Sequence, residues 1–339
     1  MGTPTPAAVE TPPAADSGWQ GALQTAIRSR DELLGFLEID DGQIAAIEPT
    51  SHEFPLLVPR GFARRMRKRD PLDPLLRQVL PLAAERAPAP GFELDPLHEL
   101  AAAADGLIRK YPGRALLITT AACPVHCRYC FRRHFPYSEQ TAARGNWQTA
   151  LSAIANDASI AEVILSGGDP LSLSNHRLAD LIARLERIAH VTTLRIHSRY
   201  PIILPERVDS GLLEILGATQ LRVVVVVHCN HPNEIDAAVG ISLAALAGAG
   251  ASVLNQSVLL RDINDDVDVL ATLSWRLFHA GALPYYLHEL DAVAGAAHFQ
   301  VPHEHAQAFV IALRQRVPGY LVPRLVREIP GELGKTIVG

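Results

Sequence analysis

Three of the chain's four cysteines stand in one run, Cys123-Pro124-Val125-His126-Cys127-Arg128-Tyr129-Cys130, with the spacing C-x3-C-x2-C. Thiolates are soft ligands that select iron–sulfur clusters and zinc. Two short gaps wrap three cysteines round one face of a cubane, and no fourth cysteine follows at ferredoxin-like spacing. A cluster held this way keeps one iron open for a non-protein ligand. Zinc would need a fourth residue to close its tetrahedron, and His126 and His134 are the neighbouring candidates. The spacing favours the cluster. Cys229, far along the chain, is read as a buried free thiol. Lysine supplies the second candidate chemistry, because a Schiff-base cofactor such as pyridoxal phosphate (PLP) needs one. The chain has only Lys68, Lys110 and Lys335. Lys68 sits in the basic run 64–69 and Lys110 precedes the first strong strand, which leaves Lys335 as the best placed.

The elements that must position these residues follow from periodicity. Apolar runs at 115–119, 162–165, 193–197, 221–228, 252–260 and 285–290 read as strands, and Val223 to Val227 as one buried on both faces. Helical spacing fills 176–189, 205–216, 233–249, 266–280 and 303–316. Alternating strands and helices imply a parallel sheet with right-handed crossovers. Six units suit an open partial (β/α)6 barrel, with chemistry at the C-terminal strand ends. Those ends carry Ser166-Gly167-Gly168-Asp169, His197-Ser198-Arg199, His228-Cys229-Asn230, Arg261–Asp266 and His288-Glu289-Leu290-Asp291. Before the barrel, 19–36 reads as one helix and 61–69, 74–80 and 96–104 as short ones, a helical N-terminal module. The divisions are a disordered Pro- and Ala-rich tail at 1–17, the module at 18–108, the barrel at 109–317 and a C-terminal segment at 318–339.

At 339 residues, 48% hydrophobic and 20% charged, the chain has ample core. A net charge of −5 gives no reason to expect nucleic-acid binding, and no apolar run is long enough to span a bilayer. The tail lacks the basic start and apolar centre of a secretory signal, and Pro6 breaks the myristoylation pattern after Gly2. Crowded cysteines do not form a disulfide framework, so the expected compartment is the reducing cytoplasm. The basic run 64–69 reads as a solvated helix face, with docking of an acidic partner as the alternative.

The cysteine run together with Gly167-Gly168-Asp169-Pro170 resembles the radical S-adenosylmethionine (SAM) enzymes. Cys127-Arg128-Tyr129-Cys130-Phe131-Arg132-Arg133, Asn230-His231-Pro232-Asn233-Glu234, Asn255-Gln256-Ser257-Val258-Leu259-Leu260-Arg261 and Gly334-Lys335-Thr336 resemble the lysine 2,3-aminomutase family. Asp73–Leu80, Asn146–Leu151, Tyr285–His288 and Gly295–Phe299 resemble its subgroup devoted to β-lysylation of elongation factor P. The resemblance implies a [4Fe–4S] cluster on Cys123, Cys127 and Cys130, whose open iron binds SAM. It implies Gly167, Gly168 and Asp169 along the methionine part of SAM, His228 and Gln256 near the nucleoside, and Lys335 carrying PLP. It implies Arg132 as the clamp on the α-carboxylate of L-lysine, and Asp265 with Asp291 as the pair that reads the ε-ammonium. A guanidinium fork suits a carboxylate, and two carboxylates suit a buried ammonium. The implied reaction moves the lysine amino group from Cα to Cβ by radical chemistry and needs a reducing electron donor. The subgroup makes (R)-β-lysine, which a partner ligase attaches to elongation factor P. The alternative is the same chemistry in free lysine metabolism.

Overall fold

The computed structural model describes residues 18–40, 42, 54–104, 106–137 and 147–339; the expected tail lies outside them. Among the described residues, ten strands form one sheet in which every strand neighbours those adjacent in sequence. β1 (Ala103–Ala104) and β2 (Leu107–Ile108) run antiparallel into β3 (Arg114–Thr120). From β3, the strands β4 (Glu162–Gly167), β5 (Thr193–Ser198), β6 (Arg222–Val227), β7 (Ser252–Val258), β8 (Leu283–His288) and β9 (Arg324–Arg327) are all parallel. β10 (Thr336–Ile337) turns back antiparallel on β9. The order is linear, with β1 and β10 at opposite ends, so the sheet is open, as expected of a partial barrel.

Period-two alternation decides which side chains look inward. In β4, Val163 and Leu165 join the main apolar core, while Ile164 and Ser166 line the barrel interior. In β5 the same split puts Leu194 and Ile196 outward, against Arg195 and His197 inward. β6 sends Val223, Val225 and Val227 into that core; Val226 is buried on the other face and Val224 half-buried. Crossover helices start at side-chain caps: Ser174 accepts from Arg177 N, Asp209 from Leu212 N, Asp236 from Val239 N and Asp266 from Asp268 N and Val269 N.

Several expectations change: the short helices are Arg60–Ala63, Pro74–Arg77 and Glu99–Ala102, so the basic run 64–69 is not a helix face and Ala103–Ala104 is a strand. The helix expected over 19–36 is two helices, Gly18–Gln24 and Arg30–Leu37. Ile27 exchanges both backbone hydrogen bonds with Val58 (2.8 and 2.9 Å), and Ser29 caps a new start by accepting from Glu32 N. The parallel strands number one more than expected, since β9, Arg-Leu-Val-Arg, is too short and too charged to read as an apolar run. The residues before β3 also serve the barrel. Ile27, Leu33, Leu56, Phe62, Leu75 and Val79 form a second apolar cluster that takes in Val125 of the cysteine loop and Ile203.

The basic run is largely compensated. Lys68 and Arg69 both pair with Glu38 (2.6 Å each), Arg67 lies 3.5 Å from Asp70, and Arg65 turns inward to donate to Ile203 O at 3.0 Å. No helix among the described residues is long and apolar enough to cross a membrane.

Candidate active site

One cavity of about 440 Å³ runs through the barrel interior, from the cysteine loop to the C-terminal segment. This is the volume range of small-molecule sites. It is lined by Cys123, Cys127 and Cys130 at one end and by Lys110, Glu328 and Lys335 at the other. Gly167, Gly168, Asp169, His197, His228, Gln256, His288 and Asp291 lie along its walls. The lining reaches down the strands to Leu116, Arg195 and Arg324, because the inward face is not filled by core side chains.

The cysteine loop leaves β3 and is held by backbone bonds from His126 N to Leu57 O (3.2 Å) and Arg128 N to Gln78 O (2.9 Å). All four cysteines are free, and Cys229 is buried as expected. Burial pushes the Cys130 thiol up to about 11 and Cys123 up as well, with the neighbouring sulfurs adding to the effect. Thiolates gathered here therefore need cationic partners, and Arg132 and Arg199 lie against them. Among the described residues, no group of three or more His, Cys, Asp and Glu side chains is arranged to hold a single ion.

The two glycines have a sharper reason than room for a ligand. A Cβ on Gly168 would lie 2.5 Å from Ala122 O, and one on Gly167, which has φ +115°, 2.8 Å from Thr120 O. The end of β4 presses on the base of the cysteine loop, and only glycine permits that approach. Asp169 is spent on the scaffold. Its carboxylate accepts from Ser198 Oγ (2.8 Å), Leu171 N (3.0 Å) and Arg199 N (2.6 Å), and burial still raises its pKa to about 6.

Arg132 is buried, and its fork is already occupied. Nε and Nη2 donate to the two oxygens of Glu99 (2.6 and 2.9 Å), and Nη1 donates to Ser166 Oγ (3.0 Å). Burial works to raise the Glu99 pKa, yet Arg132 and then Lys110 outweigh it and hold it low. Asp291 and Asp265, expected as a pair, are not brought together in the cavity. Asp291 lines it, and burial with the nearby Glu328 pushes its carboxyl up to about 7 against the pull of Lys335 and Lys110. Asp265 is not among the lining residues; its carboxylate accepts from Asp262 N at 2.7 Å, bracing a loop in which Asp262 has φ 59°.

Lys335 is placed by β10, whose Thr336 pairs with Arg327. Its ammonium donates to Glu328 Oε2 at 2.7 Å. Lys110, set aside in the sequence, lines the same cavity, 2.8 Å from Glu328 Oε1 and 3.3 Å from Glu99. Burial pushes the Glu328 pKa up, but the two ammonium groups outweigh it and hold the carboxylate ionised. His197, His228 and His288 are kept neutral by burial, His228 with its pKa down to about 3. Their Nε2 atoms and Gln256 Oε1 are buried with no hydrogen-bond partner. Such orphans on a cavity wall mark groups awaiting a ligand.

Residues 111–202 match the family described as a 4Fe-4S single cluster domain. The L-lysine 2,3-aminomutase of Escherichia coli (strain K12) is 48% identical over 94% of this chain and 93% of its own length. That of Haemophilus influenzae is 43% identical over 95% and 96%, and that of Clostridium subterminale 34% over 94% and 77%. The chain belongs to the L-lysine 2,3-aminomutase family. Its members are amino-group-migrating isomerases, and the donor set fits the cofactors of such an enzyme. Three thiols share one loop for a cluster, orphaned polar atoms line the wall beside it, and a lysine amine stands at the far end. Glu99 and Glu328 are site residues that the sequence does not reveal, whereas His197 and His288 stand among its polar strand ends without an assigned role. The two histidines were legible as strand-end residues of inward parity. The two acids carry no local signal, since each matters only through distant cations.

Proposed function

We propose that this chain is an L-lysine 2,3-aminomutase that works with a [4Fe–4S] cluster, SAM and PLP to supply (R)-β-lysine for modification of elongation factor P. The observation that carries the reading is the single cavity with the three cysteines at one end and Lys335 at the other. Cys123, Cys127 and Cys130 hold the cluster. Gly167, Gly168 and Asp169 keep the adjoining wall close to it, and His228 and Gln256 offer their orphaned atoms to the nucleoside. Lys335 holds PLP, and Arg114 and Arg324 on the same cavity supply guanidinium groups for its phosphate, beside Arg195, which is paired with Glu162. When bound, the cluster with SAM would supply one-electron radical chemistry and PLP an electron-delocalising ring.

The chain's own residues bind and orient the substrate. Arg132 takes the α-carboxylate by sharing its fork with Glu99, whose oxygens have Lys110 as a second partner. Asp291 faces the ε-ammonium, whose positive charge favours the ionised carboxylate. Asp265 is the second carboxylate of the pair, with Oδ1 accepting from Asp262 N at 2.7 Å. Residues 18–108 act as a module that buttresses the cysteine loop, and 318–339 as the segment that delivers Lys335. The motif resemblance at Asp73–Leu80 and Tyr285–His288 favours the elongation factor P role and, with it, a cytoplasmic site of action.

Anaerobic purification tests the chemistry. The expected product is a brown protein with about four irons per chain and a PLP absorption band, converting L-lysine to β-lysine when a reductant is added. A colourless protein with stoichiometric zinc overturns the reading. Deleting the gene and weighing elongation factor P tests the pathway; an unchanged mass assigns the enzyme to free lysine metabolism.

A further inference from the structure

Arg199 stands where β5 ends, and its guanidinium is 6% exposed. Nη1 donates to Cys127 Sγ and to the Tyr129 hydroxyl, and Nη2 to Gln78 Oε1 (2.7 Å) and Glu234 Oε2 (3.2 Å). Each of these partners is fixed in turn. Glu234 is fully buried, and its Oε1 accepts from Asn230 N and His231 N (3.0 Å each) and from Gln78 Nε2 (3.1 Å). Asn230 Nδ2 donates to the Tyr129 hydroxyl at 2.6 Å and to Gln78 Oε1 at 3.0 Å. The neighbouring arginines of the loop are engaged elsewhere, Arg128 and Arg133 with Glu85 and Arg132 with Glu99. The network thus brings four stretches of chain together to aim one buried cation at one sulfur, with its counterion behind it.

We propose that Arg199, oriented by Glu234 and Gln78, sets the reduction potential of the cluster through Cys127; the inference rests on reading Cys127 as a cluster ligand. Reduction adds one electron from a low-potential donor and breaks no bond, so its ease depends on how the surroundings receive the added negative charge. A cation and an N–H donated to a ligating sulfur both stabilise the reduced form, more so where water is excluded. The Glu234 carboxylate opposes this from the far side of the guanidinium. Arg199 is a positioning and tuning residue, since its contact is with the ligand sulfur and with no substrate atom.

The test is a dithionite titration of the anaerobically reconstituted holoprotein, followed by the EPR signal of the reduced cluster, with iron per chain measured for every variant. Arg199→Gln is expected to lower the equilibrium constant for one-electron reduction about tenfold, a shift of about 59 mV to more negative potential. Arg199→Lys, which keeps the charge, should recover most of that shift, and Glu234→Gln should move the potential the other way. Iron-loaded variants that all titrate like the parent overturn the inference while leaving the proposed function standing. Loss of iron from all three, Arg199→Lys included, makes Arg199 a pillar of the loop and also overturns it. A parent protein that binds no iron overturns the proposed function itself.

Discussion

The two ends of the cavity are built by opposite means. At one end, eight consecutive residues present three thiols, and short-range bonds such as Cys130 N to Cys127 O (3.1 Å) shape the turn. At the other, Lys110, Asp291, Glu328 and Lys335 come from before β3, after β8 and after β9, and Glu99 joins them to Arg132 beyond the cysteines. Ion pairs, rather than adjacency, link all of these but Asp291: Lys110 bridges Glu99 and Glu328, and Glu328 also takes Lys335. The local end depends on single residues, whereas the assembled end depends on a charge balance that any one member can upset.

This contrast is open to attack by substitution. Lys335→Ala should lower activity by more than about 10³-fold and remove the PLP absorption band while leaving iron per chain unchanged. Cys127→Ala should do the reverse, losing iron and keeping the band. Loss of both cofactors from either variant would show that the two ends are one cooperative unit. Glu328→Gln leaves half-buried Lys335 without its carboxylate and Lys110 with Glu99 alone, and should cost about 1–2 kcal/mol at pH 7 in thermal unfolding of the ligand-free protein. An unchanged melting temperature would mean that the ion pairs do not hold the assembled end.

Asp291 gives a smaller, pH-dependent effect. Its folded pKa of about 7 lies above its unfolded value, which is about 3.9. Its contribution to stability is therefore full below about pH 4 and lost as pH rises through 7. Asp291→Asn, which cannot ionise, should gain on the parent in ligand-free melting temperature as pH goes from 5 to 8, and a constant gap would refute the assignment. The smallest effect belongs to the cysteine side. Ser166→Ala removes one hydrogen bond to Arg132 and should cost about 1 kcal/mol, with the Glu99 pair keeping the guanidinium in place.

The same contrast explains what could be read from the sequence. Cys123, Cys127 and Cys130 are legible because their chemistry is written in their spacing, and β3 to β8 because their apolar runs are continuous. β9 escapes because two arginines flank only two apolar residues, yet Arg324 and Glu328 enter the site through it. Lys110 looked remote because sequence order hides the antiparallel return of β2 onto β3. The family resemblance marks Arg132 as a carboxylate clamp, but the carboxylate that fills it here, Glu99, precedes β1 and β2 in the chain. Asp265 matches its motif while its side chain serves the loop, a difference that only backbone geometry reveals.

Val125, inside the cysteine run, packs into an apolar cluster whose other members, Ile203 apart, all precede it in the chain. The apolar part of the cysteine loop's surroundings is therefore almost wholly translated before the loop, whereas the end of β4, Arg199 and Asn230, which also press on it, come after. A ribosome thus supplies the apolar bed of the loop first and the polar brace around its sulfurs last.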